Sequence, residues 1–362
     1  MTNEAVKEAG ISIPGEKTPF KSKDQWKLGT KGKELLRVDS LKMYYPIKGG
    51  FLGRTVNHVK AVDDISFTIY EGETVSIVGE SGCGKSTTGR AIMRLEEPTA
   101  GRVWFEGTDL LKLTKKQMLR KRRELQMIFQ DPYASLNPRK TAAQTLEEAL
   151  KIQQIVPADK RRERAIELLE MVGLAAYQAD RFPHEFSGGQ RQRIGIARAL
   201  SVNPKLVICD EAVSALDVSI QAQVLNLLKK LQKELKLTYL FISHDLGVVR
   251  HISNRIIVMY LGKIVEIADK ASLFNDAQHP YTQALLSAIP SLNPANKKER
   301  TILKGDIPSP IDPPGGCRFH TRCPFARDRC KTDTPELRKV KDRSFHLAAC
   351  HFMEEIEAAR SR

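Results

Sequence analysis

Short apolar runs alternate with amphipathic segments along most of the chain, from Leu35 to about Val265. The runs Thr74–Val78 (TVSIV) and Leu206–Asp210 (LVICD) are nearly continuous, and such runs predict buried strands. The segments between them carry apolar residues every three or four positions, a spacing that predicts helices. This alternation of strands and helices predicts an α/β domain.

The same pattern divides the chain into parts. Strands are predicted over 35–75 and 101–107, and helices over 110–124, 141–152, 158–172 and 271–289. Residues 290–316 are rich in proline, asparagine and glycine, which predicts an irregular connector. The first 34 residues have mixed charge and no periodicity, which predicts a mobile extension. We therefore expect four parts, at 1–34, 35–270, 271–316 and 317–362.

A phosphate-loop motif follows the first of the two buried runs. Gly79 to Ser86 read G-E-S-G-C-G-K-S, which fits G-x-x-x-x-G-K-S at a strand-to-helix turn. Glycines let backbone amides approach an anion closely, and the start of a helix adds partial positive charge. In this motif Lys85 reaches the β- and γ-phosphates, and the Ser86 hydroxyl can ligate Mg²⁺. The candidate nucleotide contacts are Gly79, Ser81, Gly82, Gly84, Lys85, Ser86 and Thr87.

Two acids stand at the end of the second buried run. Asp210 closes it and Glu211 follows, at the carboxyl end of a strand, where α/β sheets present their functional groups. Asp210 is placed to hold Mg²⁺ opposite Ser86. Glu211 is placed to orient or deprotonate a water that attacks the γ-phosphate. The pair therefore predicts nucleotide hydrolysis.

A second anion site is predicted before the helical segment Arg191–Leu200. It consists of Ser187, Gly188, Gly189 and Gln190. A serine and two glycines at a helix start can offer backbone N–H groups to a phosphate. Beside a triphosphate loop, this stretch resembles the signature motif of ABC-type ATPases. The customary first leucine of that motif is Phe186 here, a departure that we expect to change packing only.

From this point the chain resembles the ATP-binding subunits of ABC transporters, in motif order and spacing, over residues 35–270. Gln130, after an apolar strand, matches the family's Q-loop glutamine, which senses Mg²⁺ and touches the membrane partner. Ser214–Asp217 (SALD) matches the D-loop. His244, after another apolar strand, matches the switch histidine that contacts the γ-phosphate. Tyr45 matches the aromatic that stacks on adenine, and the adjacent Tyr44 is an alternative.

The resemblance implies a phosphate-loop fold with an antiparallel β subdomain and a helical subdomain, and ATP with Mg²⁺ as its ligands. It implies catalytic roles for Lys85, Gln130, Glu211 and His244. In the family, ATP lies between the phosphate loop of one subunit and the signature motif of another. Since this chain carries one copy of each motif, the resemblance implies a dimer in which Ser187–Gln190 acts on the partner's nucleotide.

Composition limits the classes of protein that fit. The 362 residues include 58 Lys and Arg against 43 Asp and Glu, a net charge of +15. That excess suits nucleic acid or an anionic membrane surface, although the basic clusters Lys115–Arg123 and Lys160–Arg164 have the spacing of solvated helix faces. No apolar run reaches about 18 residues, and the polar start lacks a signal region. We expect a cytosolic protein unless another chain brings it to a membrane, and we expect no nucleic-acid partner.

Four cysteines are crowded near the end of the chain: Cys317, Cys323, Cys330 and Cys350. Disulfides are rare in cytosolic proteins, so four thiols favour Zn²⁺ or an iron–sulfur cluster. The absence of a C-x₂-C pair argues against common zinc ribbons, while His320, His346 and His351 are alternative zinc ligands. Four thiols without a ligand remain the other interpretation.

With His279–Gln283 and Ile307–Pro310, this tail resembles the C-terminal region of oligopeptide/dipeptide ABC importer ATPases. The resemblance implies a [4Fe–4S] cluster rather than Zn²⁺ on the four cysteines, in a small irregular region. It also implies a heterodimer with a second ATPase subunit, two transmembrane permease subunits and an extracytoplasmic peptide-binding protein. The place of such a subunit is the cytoplasmic face of the cell membrane, as a peripheral protein.

Three alternatives stay open at this point. A soluble ABC ATPase of translation or DNA repair fits the basic charge, but such proteins usually carry two ATPase domains or a long coiled-coil insertion. A non-catalytic nucleotide-dependent binding module is disfavoured because Lys85, Asp210, Glu211 and His244 are all present. An importer ATPase for another small solute, such as nickel, fits the same motifs, because contacts to the solute lie on other chains.

Overall fold

The computed structural model describes residues 32–49, 53–131, 133–289, 303, 305–341, 343 and 345–360. Nearly all of the extension predicted at 1–34, and residues 290–302 of the predicted connector, lie outside the described residues. The strands are β1 (Glu34–Gly49), β2 (Arg54–Tyr70), β3 (Thr74–Val78), β4 (Ala100–Phe105), β5 (Thr108–Asp109), β6 (Leu125–Ile128), β7 (Leu206–Asp210), β8 (Thr238–Ile242), β9 (Arg255–Tyr260), β10 (Lys263–Asp269), β11 (Arg338–Lys339) and β12 (His346–Ala348). The helices are α1 (Lys85–Ile92), α2 (Lys115–Lys121), α3 (Ala142–Ile152), α4 (Arg161–Met171), α5 (Gly188–Leu200), α6 (Val218–Leu235), α7 (Leu246–Ile252), α8 (Lys270–Asn275), α9 (Pro280–Ser287), α10 (Asp328–Thr332) and α11 (Met353–Arg360).

Two sheets organise these strands. The smaller one has the order β2-β1-β4-β5 and is antiparallel throughout. The larger one has the order β11-β12-β10-β9-β3-β8-β7-β6, and its strands from β9 to β6 run parallel. Strands β3, β7, β8 and β9 are buried at every residue, because a parallel sheet is covered on both faces. The predicted α/β fold with an antiparallel β part is confirmed.

The helical part of the domain comprises α3, α4 and α5. Their side chains share one apolar cluster with β7 and β8, in which Leu146, Leu168 and Ile194 are at most 1% exposed. Each fully buried side chain of this size stabilises the fold by about 1.5–3 kcal/mol. The helices predicted over 141–152 and 158–172 correspond to α3 and, after a short 3₁₀ turn, to α4. Among the described helices, none combines the length and apolar character needed to cross a membrane.

The prediction of one helix over 271–289 is wrong, because the segment forms two helices, α8 and α9. The second begins at Pro280, and a proline inside a continuous helix would remove a hydrogen bond and clash with the preceding turn. At the first helical position the same residue is well tolerated. His279 caps α9, since its Nδ1 accepts a hydrogen bond from the Tyr281 amide at 3.1 Å. The segment 276–279 therefore interrupts the helix.

The C-terminal part is less irregular than predicted. Strand β12 pairs antiparallel with β10, with Glu266 opposite Ala348 and Ala268 opposite His346, and β11 follows at the outer edge. The short strands thus extend the central sheet. A strand of three residues is too short for its periodicity to be recognised in a sequence.

A buried carboxylate joins the C-terminal part to the domain. Glu266 and His346 are both 0% exposed, and Nε2 of His346 lies 2.6 Å from Oε1 of Glu266. The same carboxylate accepts hydrogen bonds from the backbone amides of Gln278 at 2.7 Å and His279 at 3.0 Å. One side chain therefore satisfies buried donors from β12 and from the start of α9.

We expect Glu266→Ala to lower the free energy of unfolding by about 3 kcal/mol or more. The change leaves three buried groups without a partner, and each such loss costs about 1–3 kcal/mol. Urea unfolding followed by circular dichroism measures the effect. Glu354→Ala is the matched control, because it breaks an exposed pair with Arg338 and should cost at most about 1 kcal/mol. Equal losses of unfolding free energy in the two variants would contradict the role of Glu266 as the partner of three buried groups.

Candidate nucleotide-binding site

Four neighbouring parallel strands bring the candidate residues to one edge of the central sheet. The phosphate loop follows β3, Asp210 ends β7, and His244 follows β8 by two residues. Gln130 follows β6, the outermost strand on that side. Carboxyl ends of parallel strands meet at the same edge, which is where α/β proteins bind their ligands.

The phosphate loop requires glycine at two positions. Gly79 has φ 154° and Gly84 has φ 102°, in the region that favours glycine. A Cβ on Gly79 would lie 2.2 Å from the carbonyl oxygen of Met259, and one on Gly84 would lie 2.1 Å from that of Ala61. The loop is therefore packed against β9 and β2, while Ser81 and Gly82 are exposed at its tip.

Lys85 and Ser86 begin α1 beneath this loop. The Lys85 side chain is 4% exposed, and its Nζ donates hydrogen bonds to the carbonyl oxygens of Gly79 at 2.9 Å and Glu80 at 3.0 Å. Ser86 Oγ donates to Oδ1 of Asp210 at 2.6 Å. Burial raises the pKa of the Asp210 carboxyl, and the hydrogen bond from Ser86 partly offsets that rise. Two side-chain oxygens thus lie side by side, and oxygen is the ligand type that Mg²⁺ requires.

Glu211 occupies the centre of a second group. Its carboxylate accepts a hydrogen bond from Nε2 of Gln130 at 2.8 Å, and its other oxygen lies 3.2 Å from Nδ1 of His244. The backbone of Glu211 has φ 47°, a left-handed conformation that is uncommon for a side-chain-bearing residue. Such conformations cluster at functional sites, where the surrounding structure holds them. The structure thus brings together three residues that lie far apart in the sequence.

The signature segment forms the start of α5. Ser187 is the N-cap, and its hydroxyl accepts from the Gln190 amide at 3.4 Å while the Gln190 side chain accepts from the Ser187 amide at 3.0 Å. Ser187 and Gly188 are exposed, whereas Gly189 is buried, and a Cβ on Gly189 would lie 2.4 Å from Ile220. Phe186 is 3% exposed, so it packs in the core as expected. The start of α5 is therefore exposed at Ser187 and Gly188.

The two candidate tyrosines differ in their contacts. The Tyr45 hydroxyl donates to Glu96, and it also interacts with Thr87 of α1. Burial and the bond to Glu96 raise the pKa of Tyr45 to about 12. The Tyr44 hydroxyl instead donates to Asp63 of β2. Tyr45 therefore contacts α1, the helix that follows the phosphate loop.

A cavity of about 690 Å³ opens beside Gln130, and Phe129, Ile152 and Arg198 are among its lining residues. Phe129 is 37% exposed and Ile152 is 62% exposed. Exposed apolar side chains around a cavity are typical of surfaces that bind a partner.

The four C-terminal cysteines lie in one neighbourhood. Burial raises the pKa of Cys317 to about 11 and that of Cys323 to about 12, and the other thiols of the group add to both shifts. However, among the described residues no three Cys, His, Asp or Glu side chains are arranged to hold a metal ion. The histidines considered for zinc have other contacts, for His320 Nδ1 lies 2.8 Å from the Cys317 carbonyl and His351 Nε2 lies 2.8 Å from the Asp333 carbonyl. The described residues therefore do not form an assembled site for the predicted [4Fe–4S] cluster or for zinc.

Sequence reasoning missed a contact between the tail and the phosphate loop. Arg322 donates to both carboxylate oxygens of Glu80, at 2.7 and 3.1 Å, and the Tyr281 hydroxyl accepts from the Glu80 amide at 2.8 Å. No local signal marks this contact, because 242 residues separate Arg322 from Glu80.

Comparison with known proteins gives this fold and site a family. Residues 62–214 match the family described as ABC transporter, and residues 265–330 match the one described as oligopeptide/dipeptide transporter, C-terminal region. A relative, the oligopeptide transport ATP-binding protein AppF of Bacillus subtilis, is 53% identical over 320 residues, 88% of this chain and 97% of AppF. The chain belongs to the ABC transporter ATPases, in the branch with that C-terminal region.

Other similar proteins agree with this assignment. The probable peptide ABC transporter ATP-binding protein y4tS of Sinorhizobium fredii is 51% identical, over 90% of this chain and 92% of its own length. Among solved structures, the dimeric post-hydrolysis state of the ATP-binding cassette MJ0796 with ADP and Pi has a TM-score of 0.58 and 32% identity. That match covers 65% of this chain and 99% of the cassette. This chain is therefore an ABC-type ATPase, and the family predicted from the motifs is confirmed.

Proposed function

We propose that this protein hydrolyses ATP to power the import of oligopeptides or dipeptides through a membrane ABC transporter. For hydrolysis, the observation that carries the proposal is the Glu211 carboxylate, held between Gln130 and His244 directly after Asp210. For the substrate class, support comes from the C-terminal match and from relatives that are named as oligopeptide or peptide transport proteins. This function accounts for both parts of the chain.

Each side chain of the site has one task in this proposal. The phosphate-loop amides and Lys85 hold the β- and γ-phosphates of ATP, and Tyr45 supports the adenine. Ser86, Asp210 and Gln130 would hold Mg²⁺, which neutralises phosphate charge when it is bound. Glu211 orients the attacking water and accepts its proton, and His244 stabilises the γ-phosphate. In the described arrangement, Lys85 donates to loop carbonyls, so it exchanges these bonds for phosphate oxygens when ATP binds.

We expect Glu211→Gln to retain ATP binding but to lose about 10²-fold or more of its turnover, the scale of losing a general base. The amide keeps the size of the side chain and can still bond to Gln130, but it cannot accept a proton. Phosphate release by the assembled transporter and nucleotide binding by the purified chain give the two readouts. Glu234→Gln, at an exposed end of α6, is the control for the same chemical change. Near-normal turnover in Glu211→Gln would remove the general-base role.

The import function needs its own readout. Cells that lack the native gene should recover uptake of labelled oligopeptides with the wild-type chain and not with Glu211→Gln. Assembled with its membrane partners, the wild-type protein should show ATP turnover that rises when peptide is supplied. Uptake of nickel instead of peptide would favour the alternative solute, and activity without any effect on uptake would favour a soluble ATPase.

The proposed assembly has a second ATPase subunit, and the expected form is a heterodimer. The signature segment supports it, because Ser187 and Gly188 are exposed at a helix start and free to meet another molecule's phosphates. The similar cassette structure is described as dimeric, which is a property of that protein. Two permease subunits would dock at the cavity beside Gln130, on the cytoplasmic face of the membrane. An extracytoplasmic peptide-binding protein would supply the substrate, and no nucleic acid takes part.

We expect Ser187→Arg to lower ATP turnover of the assembled pair about tenfold or more, because a long side chain fills the anion site at the start of α5. ATP binding to the variant's own phosphate loop should stay unchanged. Thr332→Arg, a similar enlargement at an exposed position of the tail, is the control. If an isolated monomer of either ATPase subunit hydrolysed ATP at the rate of the assembled complex, that result would refute the composite site.

The proposal also assigns one metal centre to Cys317, Cys323, Cys330 and Cys350, as a [4Fe–4S] cluster with Zn²⁺ as the alternative. Its support is the common neighbourhood of the four thiols: Cys330 and Cys350 add to the rise that burial causes in the pKa of Cys317, and the three other thiols add to the rise in the pKa of Cys323. Because they are not arranged as ligands in the described structure, binding would require the thiols to lose protons and the segments to move together.

We expect anaerobically purified protein to be brown, with about four irons per chain and thiolate-to-iron absorbance bands. Single Cys→Ser changes should reduce stability or assembly more than ATP affinity, since the thiols lie outside the phosphate site. Colourless protein with one zinc per chain would favour zinc. Metal-free anaerobic protein, together with full transport by the quadruple Cys→Ser variant, would reject both metals.

A further inference from the structure

Glu80 places a negative charge inside a loop that binds a triphosphate. It is the second residue of the phosphate loop, between Gly79 and the exposed tip. Its side chain is 24% exposed, so water screens its charge only in part. An uncompensated carboxylate here would repel the phosphates, because near-surface charges several ångströms apart still interact appreciably.

One side chain of the C-terminal tail compensates that charge. Arg322 approaches Glu80 with both terminal nitrogens, at 2.7 and 3.1 Å, in the two-point geometry that is strongest for an arginine and a carboxylate. The Arg322 side chain is 7% exposed. A guanidinium stays charged in proteins, so the contact with Glu80 is an ion pair.

The tail holds Arg322 in a rigid aromatic setting. The guanidinium lies 5.9 Å from the centre of the Tyr260 ring, and it donates to the Tyr260 hydroxyl at 3.4 Å. Tyr260 packs against Tyr281 and Phe319, with ring centres 4.7 and 5.3 Å apart. All three rings are at most 1% exposed. Buried packing therefore holds the Arg322 side chain in place, so it does not behave as a mobile side chain at the surface.

The backbone of Glu80 is fixed from two sides. Its amide donates to the Tyr281 hydroxyl at 2.8 Å, and its carbonyl accepts from Lys85 Nζ at 3.0 Å. With the carboxylate on Arg322, each polar group of Glu80 has a partner. Two of these partners, Arg322 and Tyr281, lie C-terminal to the ATPase segment, which was predicted to end at residue 270.

We propose that Arg322 is a positioning residue of the nucleotide site: by pairing with Glu80, it neutralises the loop's own negative charge and fixes the loop for ATP. The C-terminal tail then contributes directly to ATP affinity. This inference rests on the proposed binding of ATP at the phosphate loop. It differs from a purely structural role in one respect, since a structural pair would affect unfolding but not the ATP affinity of folded protein.

The test is a double-mutant cycle on the full-length chain, with Kd for ATP and Mg²⁺ measured by calorimetry on folded, monodisperse samples. Arg322→Ala should weaken ATP binding about tenfold, the scale of one unpaired near-surface charge. Glu80→Gln, which removes the charge and keeps the shape, should change Kd about threefold at most. In the Glu80→Gln background, Arg322→Ala should cost clearly less affinity than in the wild type, because the part of its effect that acts through the contact with the Glu80 carboxylate is already gone.

Three further measurements separate this role from general damage. Arg322→Lys should recover part of the affinity, because lysine supplies charge without the two-point contact. The loss of ATP affinity in Arg322→Ala should become smaller at high salt, because screening weakens charge repulsion. Arg329→Ala, which breaks an exposed pair with Asp333 in the same tail, should leave Kd unchanged.

The outcomes are decisive in either direction. An unchanged Kd in Arg322→Ala overturns the inference, as does a loss that is equally large with and without the Glu80 carboxylate. If Arg322→Ala does not fold, the same cycle is measured with Arg322→Lys, Glu80→Gln and the double variant. An absence of coupling between these two substitutions in the Kd for ATP then overturns the inference. Failure of the wild-type chain to bind ATP would instead refute the proposed function, which keeps the two questions separate.

Discussion

The parallel pairing of β6, β7, β8 and β3 is the constraint on which the site depends. It brings four strand ends to one edge, so that residues from four distant segments reach the same volume. The pairing also sets how far along its strand each residue lies: Asp210 is opposite Ile242, and Glu211 follows it by one residue. Ser86 can bond Asp210 at 2.6 Å only because α1 starts where β3 ends, beside these strands. A shift of one residue in this register would turn the acids away from the phosphate loop.

The acids at that edge would repel one another and the phosphates if they were left alone. The structure gives each one a partner: Ser86 for Asp210, Gln130 and His244 for Glu211, and Arg322 for Glu80. The partners differ in a way that suits different tasks. An amide and an imidazole contact the Glu211 carboxylate, whereas Glu80 forms an ion pair with a guanidinium, which carries only donors.

The sequence predicted the parts of this arrangement that are written in contiguous residues. The phosphate loop, the apolar strands and the acids after β7 carry local patterns, and the order of motifs was enough for the family. The break between α8 and α9 was also visible in Pro280, a helix-start signal that the apolar spacing of the segment outweighed. Contacts such as Glu266 with His346 have no such signal, because they depend on how β12 adds to the sheet. The proximity of the four thiols followed from their crowding, but their side-chain geometry did not.

The C-terminal tail is physically part of the ATPase domain rather than an addition to it. Glu266 lies on β10 with its charge satisfied partly from β12, and Arg318 of the tail pairs with Asp63 of β2. Arg322 pairs with Glu80 of the phosphate loop in the same way. A buried or half-buried carboxylate is costly without its partner, so these positions on the domain presuppose the tail. The dependence runs in both directions, because few apolar side chains of the tail form a core of their own and Phe319 packs instead against Tyr260 and Tyr281. The tail and the phosphate loop therefore share contacts, and a change that moves Arg322 acts directly on Glu80 of that loop.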